Sequence, residues 1–311
     1  MTQPIQTPSA PLFRDPIFDG AADPTLIWNT VEKQWWIIYT NRRANIKCEG
    51  VSWVHGTDLG IASSSDHGQT WTYRGTIEGL DFERGRNTFW APEVFYHNGL
   101  YHMYVSYIKG VPNQWSGHKR QIVHYTSENL WDWSFQSILK LSSEFVIDAC
   151  VHPLENGKFR MWYKDEKHHS HTYAADSNDL YDWEVVGPVI TDFPHEGANV
   201  FRFEGSYWMV VDKWSGQAVY QSNDLETWTY NNSILADVGI REDDQTIGLH
   251  ADVHISEDAA YIIYFTHPQR SEEVDPQSYE SKRTSIQVAK LEMKGHLLIC
   301  NRNKPFSFYL T

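Results

Sequence analysis

The chain has 311 residues, a formal net charge of −14, 14% aromatic residues and three cysteines. The acidic balance argues against a nucleic-acid binder, which needs a basic face; the basic clusters are only Arg42-Arg43 and Lys119-Arg120. Cys48, Cys150 and Cys300 are widely spaced and odd in number, against a disulfide framework or zinc motif, and no stretch approaches the ~20 apolar residues of a membrane span. Residues 1–6 carry neither the basic start nor the apolar run of a signal peptide, so a cytoplasmic location is expected. An acidic chain rich in Trp, Tyr and His suits neutral, stacking ligands such as sugars.

In chain order, the first strand-like runs are 25–28, 34–39 and 60–62, closed by the turn 64–71 that ends in Trp71. The second unit repeats this with 93–96, 100–105 and 122–125, then a turn ending in Trp133. The third has 150–152, 159–163 and 172–175 before Trp183, and the fourth has 199–202, 207–211 and 218–220 before Trp228. The fifth has 252–255, 261–265, 285–289 and 297–300. Trp71, Trp133, Trp183 and Trp228 recur every 45 to 62 residues, and that self-similarity marks a repeat architecture. The second run of each unit is aromatic and β-branched, and the Ser/Asp/Asn turns bond their own backbone. No convincing amphipathic helix is found. The expected fold is therefore all-β, a single-domain five-bladed β-propeller over 1–311 with four-stranded antiparallel blades.

In a propeller the first strand of each blade lines the central channel. The residues at the start of those strands include Asp23, Asp148 and Glu196, with Trp90 and His250 at the corresponding places of units two and five. Three carboxylates converging on one axis raise one another's pKa, which suits general acid chemistry, and a carboxyl pair is the apparatus of glycoside hydrolysis.

In order, Asp23-Pro24, Trp90-Ala91-Pro92, Ile147-Asp148, Glu196-Gly197 and His250 resemble the family 43 glycoside hydrolases and their five-bladed relatives over essentially the whole chain. The resemblance implies Asp23 as general base, Glu196 as general acid, Asp148 as the residue that tunes and orients the acid, and inversion of configuration. It also implies that His250 contacts an axial calcium ion or water; no cofactor is otherwise required. Ala149 and Ala198 stand where that family commonly has Pro. His195, directly before Glu196, is similar to the histidine argued to be the acid in the family 117 enzymes that release 3,6-anhydro-L-galactose, so His195 is a substrate ligand or alternative acid.

The ends of the second strands supply further candidates for sugar binding: Arg42, Lys164, Asp165, Trp214 and His267. Trp115 and His118 can form a rim, and His168-His169-Ser170-His171 reads as a polar loop rather than a metal motif. The expected activity is exo-acting hydrolysis of a terminal sugar from plant or algal oligosaccharides, arabinofuranosidase- or xylosidase-like. A non-catalytic sugar-binding propeller and a phosphorylase using Arg42, Arg43 and Lys213 are the rivals. The expected partner is an oligosaccharide, with no nucleic acid and no membrane.

Overall fold

In the computed structural model, residues 7–257 and 259–311 are described; the 1–6 segment read above for a leader lies outside them. Blade 1 is β1 (Ala21–Asn29), β2 (Gln34–Asn41), β3 (Leu59–Ser64) and β4 (Thr72–Thr76). Blade 2 is β5 (Thr88–His97), β6 (Leu100–Ile108), β7 (Gln121–Ser127) and β8 (Ser134–Ile138). Blade 3 is β9 (Val146–Pro153), β10 (Phe159–Asp165), β11 (His171–Ser177) and β12 (Glu184–Ile190). Blade 4 is β13 (Glu196–Phe203), β14 (Ser206–Asp212), β15 (Gln217–Ser222) and β16 (Thr229–Ile234). Blade 5 is β17 (Leu249–Ser256), β18 (Ala259–Thr266), β19 (Ser285–Lys294) and β20 (Leu297–Cys300). Each blade is an antiparallel sheet whose strands lie in sequence order, as the five-bladed reading requires. Helix is limited to Tyr279–Lys282 and a 3-10 turn at Glu166–His168 among the described residues.

The repeated turn has one physical basis. Ser127, Ser177 and Ser222 each accept at Oγ from the backbone N–H of Leu130, Leu180 and Leu225, all at 2.9 Å. Those leucines hold left-handed φ of 68°, 70° and 63°, and in blade 1 Gly68 takes the same role at 88° without a Cβ penalty. The aromatics around these turns pack onto the preceding blade: Trp131 meets Trp36, Trp183 meets Tyr104 and Trp228 meets Trp162, with ring centroids at 4.8, 5.6 and 6.2 Å.

Inner strands are also tied by side chains to the next blade's backbone. Glu93 accepts from Val151 N, Cys150 Sγ from Val200 N, Asn199 from Val253 N and Asp252 from Leu26 N, at 2.7 to 3.3 Å. Between blades 5 and 1 the ring has a further device. Phe13, ahead of blade 1, pairs with Ile286 of β19. The tail after β20 lies on the first turn, with Leu310 N donating to His67 O at 3.0 Å and the Tyr309 and His67 rings stacked at 4.0 Å. Phe306, Phe308 and Leu310 join the blade 1–5 core beside Tyr39 and Ile263.

Candidate active site

The residues read from sequence as the starts of the first strands form bulges inside those strands. Register slips in every first strand at the same place: Ala22/Thr25, Trp90/Glu93, Ile147/Cys150, Glu196/Asn199 and Leu249/Ala251. Asp23, Ala91, Asp148 and Gly197 sit in the slip with φ of 49°, 43°, 59° and 60°. A bulge bends the strand and re-aims its side chain, and Asp tolerates the left-handed region better than most residues. His250 holds the same place in blade 5. Glu196 does not share it: it lies one residue earlier, opposite Asp212, as Ala22 lies opposite Thr40. The expectation of three carboxylates at equivalent places is corrected to two, plus one neighbour. Gly197 fills the slot in blade 4 because a Cβ there would come within 2.8 Å of the His250 ring.

Bonds between blades fix these bulges. Ala91 N donates to Thr40 Oγ1 at 2.8 Å, Asp148 N to Ser106 Oγ at 2.9 Å, Gly197 N to Asp148 Oδ2 at 3.3 Å and His250 N to Asp212 Oδ2 at 2.6 Å. Thr40, Ser106 and Asp212 lie at one level of the second strands, where Lys164 and Phe265 complete the ring. Two residues on, Arg42, Glu166, Trp214 and His267 face the same pocket. Side chains alternate along a strand, so Asp165, between Lys164 and Glu166, faces away.

The result is a cavity of about 470 Å³ at the axis, lined by Asp23, Asp148, Glu196, Asp212, His250 and Lys164, with Arg42, Trp90, Trp214 and His267 around them. Trp53 and Val54 come from the 42–57 loop, whose Ser52 Oγ and Val51 N bond Pro112 O and Asn113 O of the blade 2 loop at 3.2 and 3.0 Å. Trp90 Nε1 donates to Val54 O at 2.5 Å. These contacts wall one side of the pocket.

Arg42 donates to both oxygens of Asp23 at 2.9 and 3.1 Å, and His250 Nδ1 lies 3.8 Å from Asp23 Oδ1. Lys164 Nζ bridges Glu196 at 3.0 Å and Glu166 at 3.2 Å. Burial pushes the Asp148 carboxyl up, and Glu196 adds to it against His250 and Lys164, leaving it at about 7. Asp212 is likewise raised to about 7, by burial and then by Glu196. Burial works in the same direction on Glu196, but the Lys164 ammonium and its hydrogen bond, His250 and Trp214 outweigh it and hold Glu196 well below its ordinary value. His250 is raised: burial opposes its charge, but Asp148, Asp23, Glu196 and Asp212 together outweigh burial. Such a set titrates as a unit, its protons shared among its members.

Two expected site residues fall elsewhere. Asp165 is fully buried and accepts from Ser142 and Ser143 hydroxyls, from His168 Nδ1, and from the N–H groups of Lys167 and His168. It caps the 3-10 turn and is spent on structure. His195 is also buried, with Nε2 on Thr172 Oγ1 at 2.6 Å and Nδ1 on Phe193 O at 2.7 Å, so neither nitrogen is presented to a ligand. Asp212 carried a readable signal, since it ends its second strand in register with Lys164. Arg120 and Arg270 reach the pocket from long loops and carry no motif. Among the described residues no three His, Cys, Asp or Glu side chains are placed to hold a metal ion. His250, the residue expected to contact an axial calcium ion or water, lines the pocket.

The sequence matches no family model and no curated protein sequence. Solved structures do match. A thermostable family-43 glycoside hydrolase superposes with a TM-score of 0.68 at 15% identity, over 96% of this chain and 99% of that one. The fold is the five-bladed propeller of the family 43 glycoside hydrolases. A GH43_1 enzyme from Xanthomonas citri gives 0.67 at 14% identity, covering 97% of each chain. An exo-1,5-α-L-arabinanase from a bovine ruminal metagenomic library gives 0.63 at 15%, over 93% of this chain and 99% of that one.

Proposed function

We propose that this chain is a glycoside hydrolase that removes a terminal sugar with inversion. The observation that carries the reading is the convergence of Asp23, Asp148, Glu196 and Asp212 on one end of the channel, interleaved with Arg42, Lys164 and His250. Buried carboxyls in that number are costly without chemistry to perform, which weighs against a non-catalytic sugar binder. The wall formed by the 42–57 loop and the blade 2 loop favours a closed pocket and hence exo action. The phosphorylase rival loses two of its three cations: Arg43 spends its guanidinium on the Ser52 and His55 carbonyls, and Lys213 does not line the pocket, while Arg42 is engaged by Asp23.

In this reading Asp23, oriented by Arg42, takes a proton from a water that attacks the anomeric carbon. The glycosidic C–O bond breaks as Glu196 passes a proton to the leaving oxygen. In the free site Glu196 is held ionised by Lys164. A sugar hydroxyl that draws Lys164 away leaves Glu196 facing Asp148, whose like charge raises it, and the shared proton moves to the acid. Trp90 and Trp214 offer faces for sugar C–H groups.

A panel of aryl glycosides and plant and algal oligosaccharides tests this. Asp23→Asn and Glu196→Gln keep shape and are expected to lower kcat at least 10³-fold on natural oligosaccharides. Glu196→Gln should be much less harmful on aryl glycosides, whose leaving groups need no proton. Full activity in either variant on an oligosaccharide, or no cleavage across the panel by the unaltered protein, would refute the assignment.

A further inference from the structure

We propose that the blade 5–blade 1 side of the pocket takes an anionic group carried on the sugar, a carboxylate or sulfate, bound between the guanidinium groups of Arg270 and Arg42. This deepens the glycosidase reading and rests on it.

The cations around the pocket are not equally satisfied. On the blade 3 side Lys164 meets Glu166 and Glu196, and Arg120 pairs with Glu166 and bonds the Trp115 carbonyl. Near blade 5, Arg14 and Arg283 pair with Asp19 and Asp243. Arg270 differs. Its Nε donates to Ser281 O at 3.0 Å, and no carboxylate pairs with it among the described residues. Its guanidinium stands 6.0 Å from the Trp53 ring centre, at the pocket wall. Its charged neighbour is another cation: burial and then Arg42 depress it to about 10.

Arg42 has one carboxylate, Asp23, and lies 4.6 Å over the Phe265 ring. Its two bonds to Asp23 both use one terminal nitrogen, which leaves the rest of the fork unclaimed by a carboxylate. Two guanidinium groups thus line one walled pocket, and only Arg42 is paired with a carboxylate there. Like charges held together away from bulk water favour an anion between them, and a guanidinium fork suits planar or tetrahedral oxyanions. The opposite wall is unsuited, because Glu166, Glu196, Asp148 and Asp212 outnumber Lys164 and Arg120 there. A sugar lying across the site therefore has one permitted orientation for a charged substituent: toward blades 5 and 1. The overall charge of −14 hides this, since the basic side of the pocket is local.

The test is binding, followed by tryptophan fluorescence of the intact protein. The probes are neutral monosaccharides, the matching uronates and sulfate esters, and inorganic phosphate. At least one charged sugar is expected to bind ten-fold or more tightly than its neutral counterpart at low salt. The advantage should shrink in 0.5 M salt, fall to under two-fold in Arg270→Gln and survive in part in Arg270→Lys. Equal binding of neutral and charged sugars, or a preference untouched by Arg270→Gln, overturns the inference. Arg270-dependent binding of phosphate without preference for any charged sugar also overturns it, by making the anion a free one. Cleavage of neutral glycosides with no charge preference would sink this inference and leave the hydrolase reading standing. A charge preference without cleavage of any glycoside would do the reverse.

Discussion

Asp148→Asn is expected to make the protein more stable while disabling it. Asp148 is 5% exposed and its carboxyl is raised from an ordinary 3.8 to about 7. The folded chain therefore holds a proton that the unfolded chain releases. Below about pH 4 both states are protonated and the side chain costs nothing. Between about pH 4 and pH 7 stability is lost, and above 7 the full cost applies, about 4 kcal/mol. Asn carries no charge to bury, and its side-chain oxygen can still accept from Gly197 N. With an unfolding entropy of about 2.1 cal/mol/K per residue, 4 kcal/mol corresponds to a rise in Tm of about 6 °C for a chain of this length. Thermal unfolding of both proteins at intervals from pH 4 to pH 8.5 measures it. The curves should converge at the acid end and separate toward pH 8, with turnover down at least 10²-fold. Parallel curves, or a variant less stable at pH 8, would refute the assignment of a buried, proton-retaining Asp148.

Lys164→Met removes the main force holding Glu196 down in the free site; the Glu196 pKa should rise and the alkaline limb of kcat/KM should move to higher pH, read from pH–rate profiles. Gly197→Ala meets both a left-handed φ and the His250 ring. It should cost about 1–3 kcal/mol in denaturant unfolding and lower kcat more steeply than that loss alone explains. Treatment with a strong chelator should leave kcat unchanged, because no step in the proposed mechanism passes through a metal; loss restored by calcium would overturn that.

The blades were legible because alternation, aromatic second strands and the Ser-x-x-Leu turns are local patterns. The bulges were not. Asp23 and Asp148 could be picked out as acids beside apolar runs, but nothing in the sequence says that a strand slips register there. This is why Glu196 was aligned one residue out of place. Asp165 was misread for a related reason: its strand continues into the charged triplet and ends at Asp165, so alternation sends the middle residue inward. His195 is adjacent to Glu196 in sequence and opposite to it in direction. Arg270 belongs to a loop whose path depends on packing against Trp53 and Ser281, contacts between residues remote in the chain.

The closure between blades 5 and 1 has a consequence for how the molecule fails. Four seams are cross-linked by inner-strand side chains, this one among them, and it relies as well on segments flanking the repeats: Phe13 on β19, and 306–310 on the first turn. The same seam divides the pocket, with Asp23 and Arg42 on one side and His250 and His267 on the other. Sub-global opening would therefore begin where the chemistry is assembled. Amide exchange should find the flanking segments and β1 among the earliest to lose protection. Heat should abolish turnover reversibly, at temperatures where blades 2, 3 and 4 still hold their sheets.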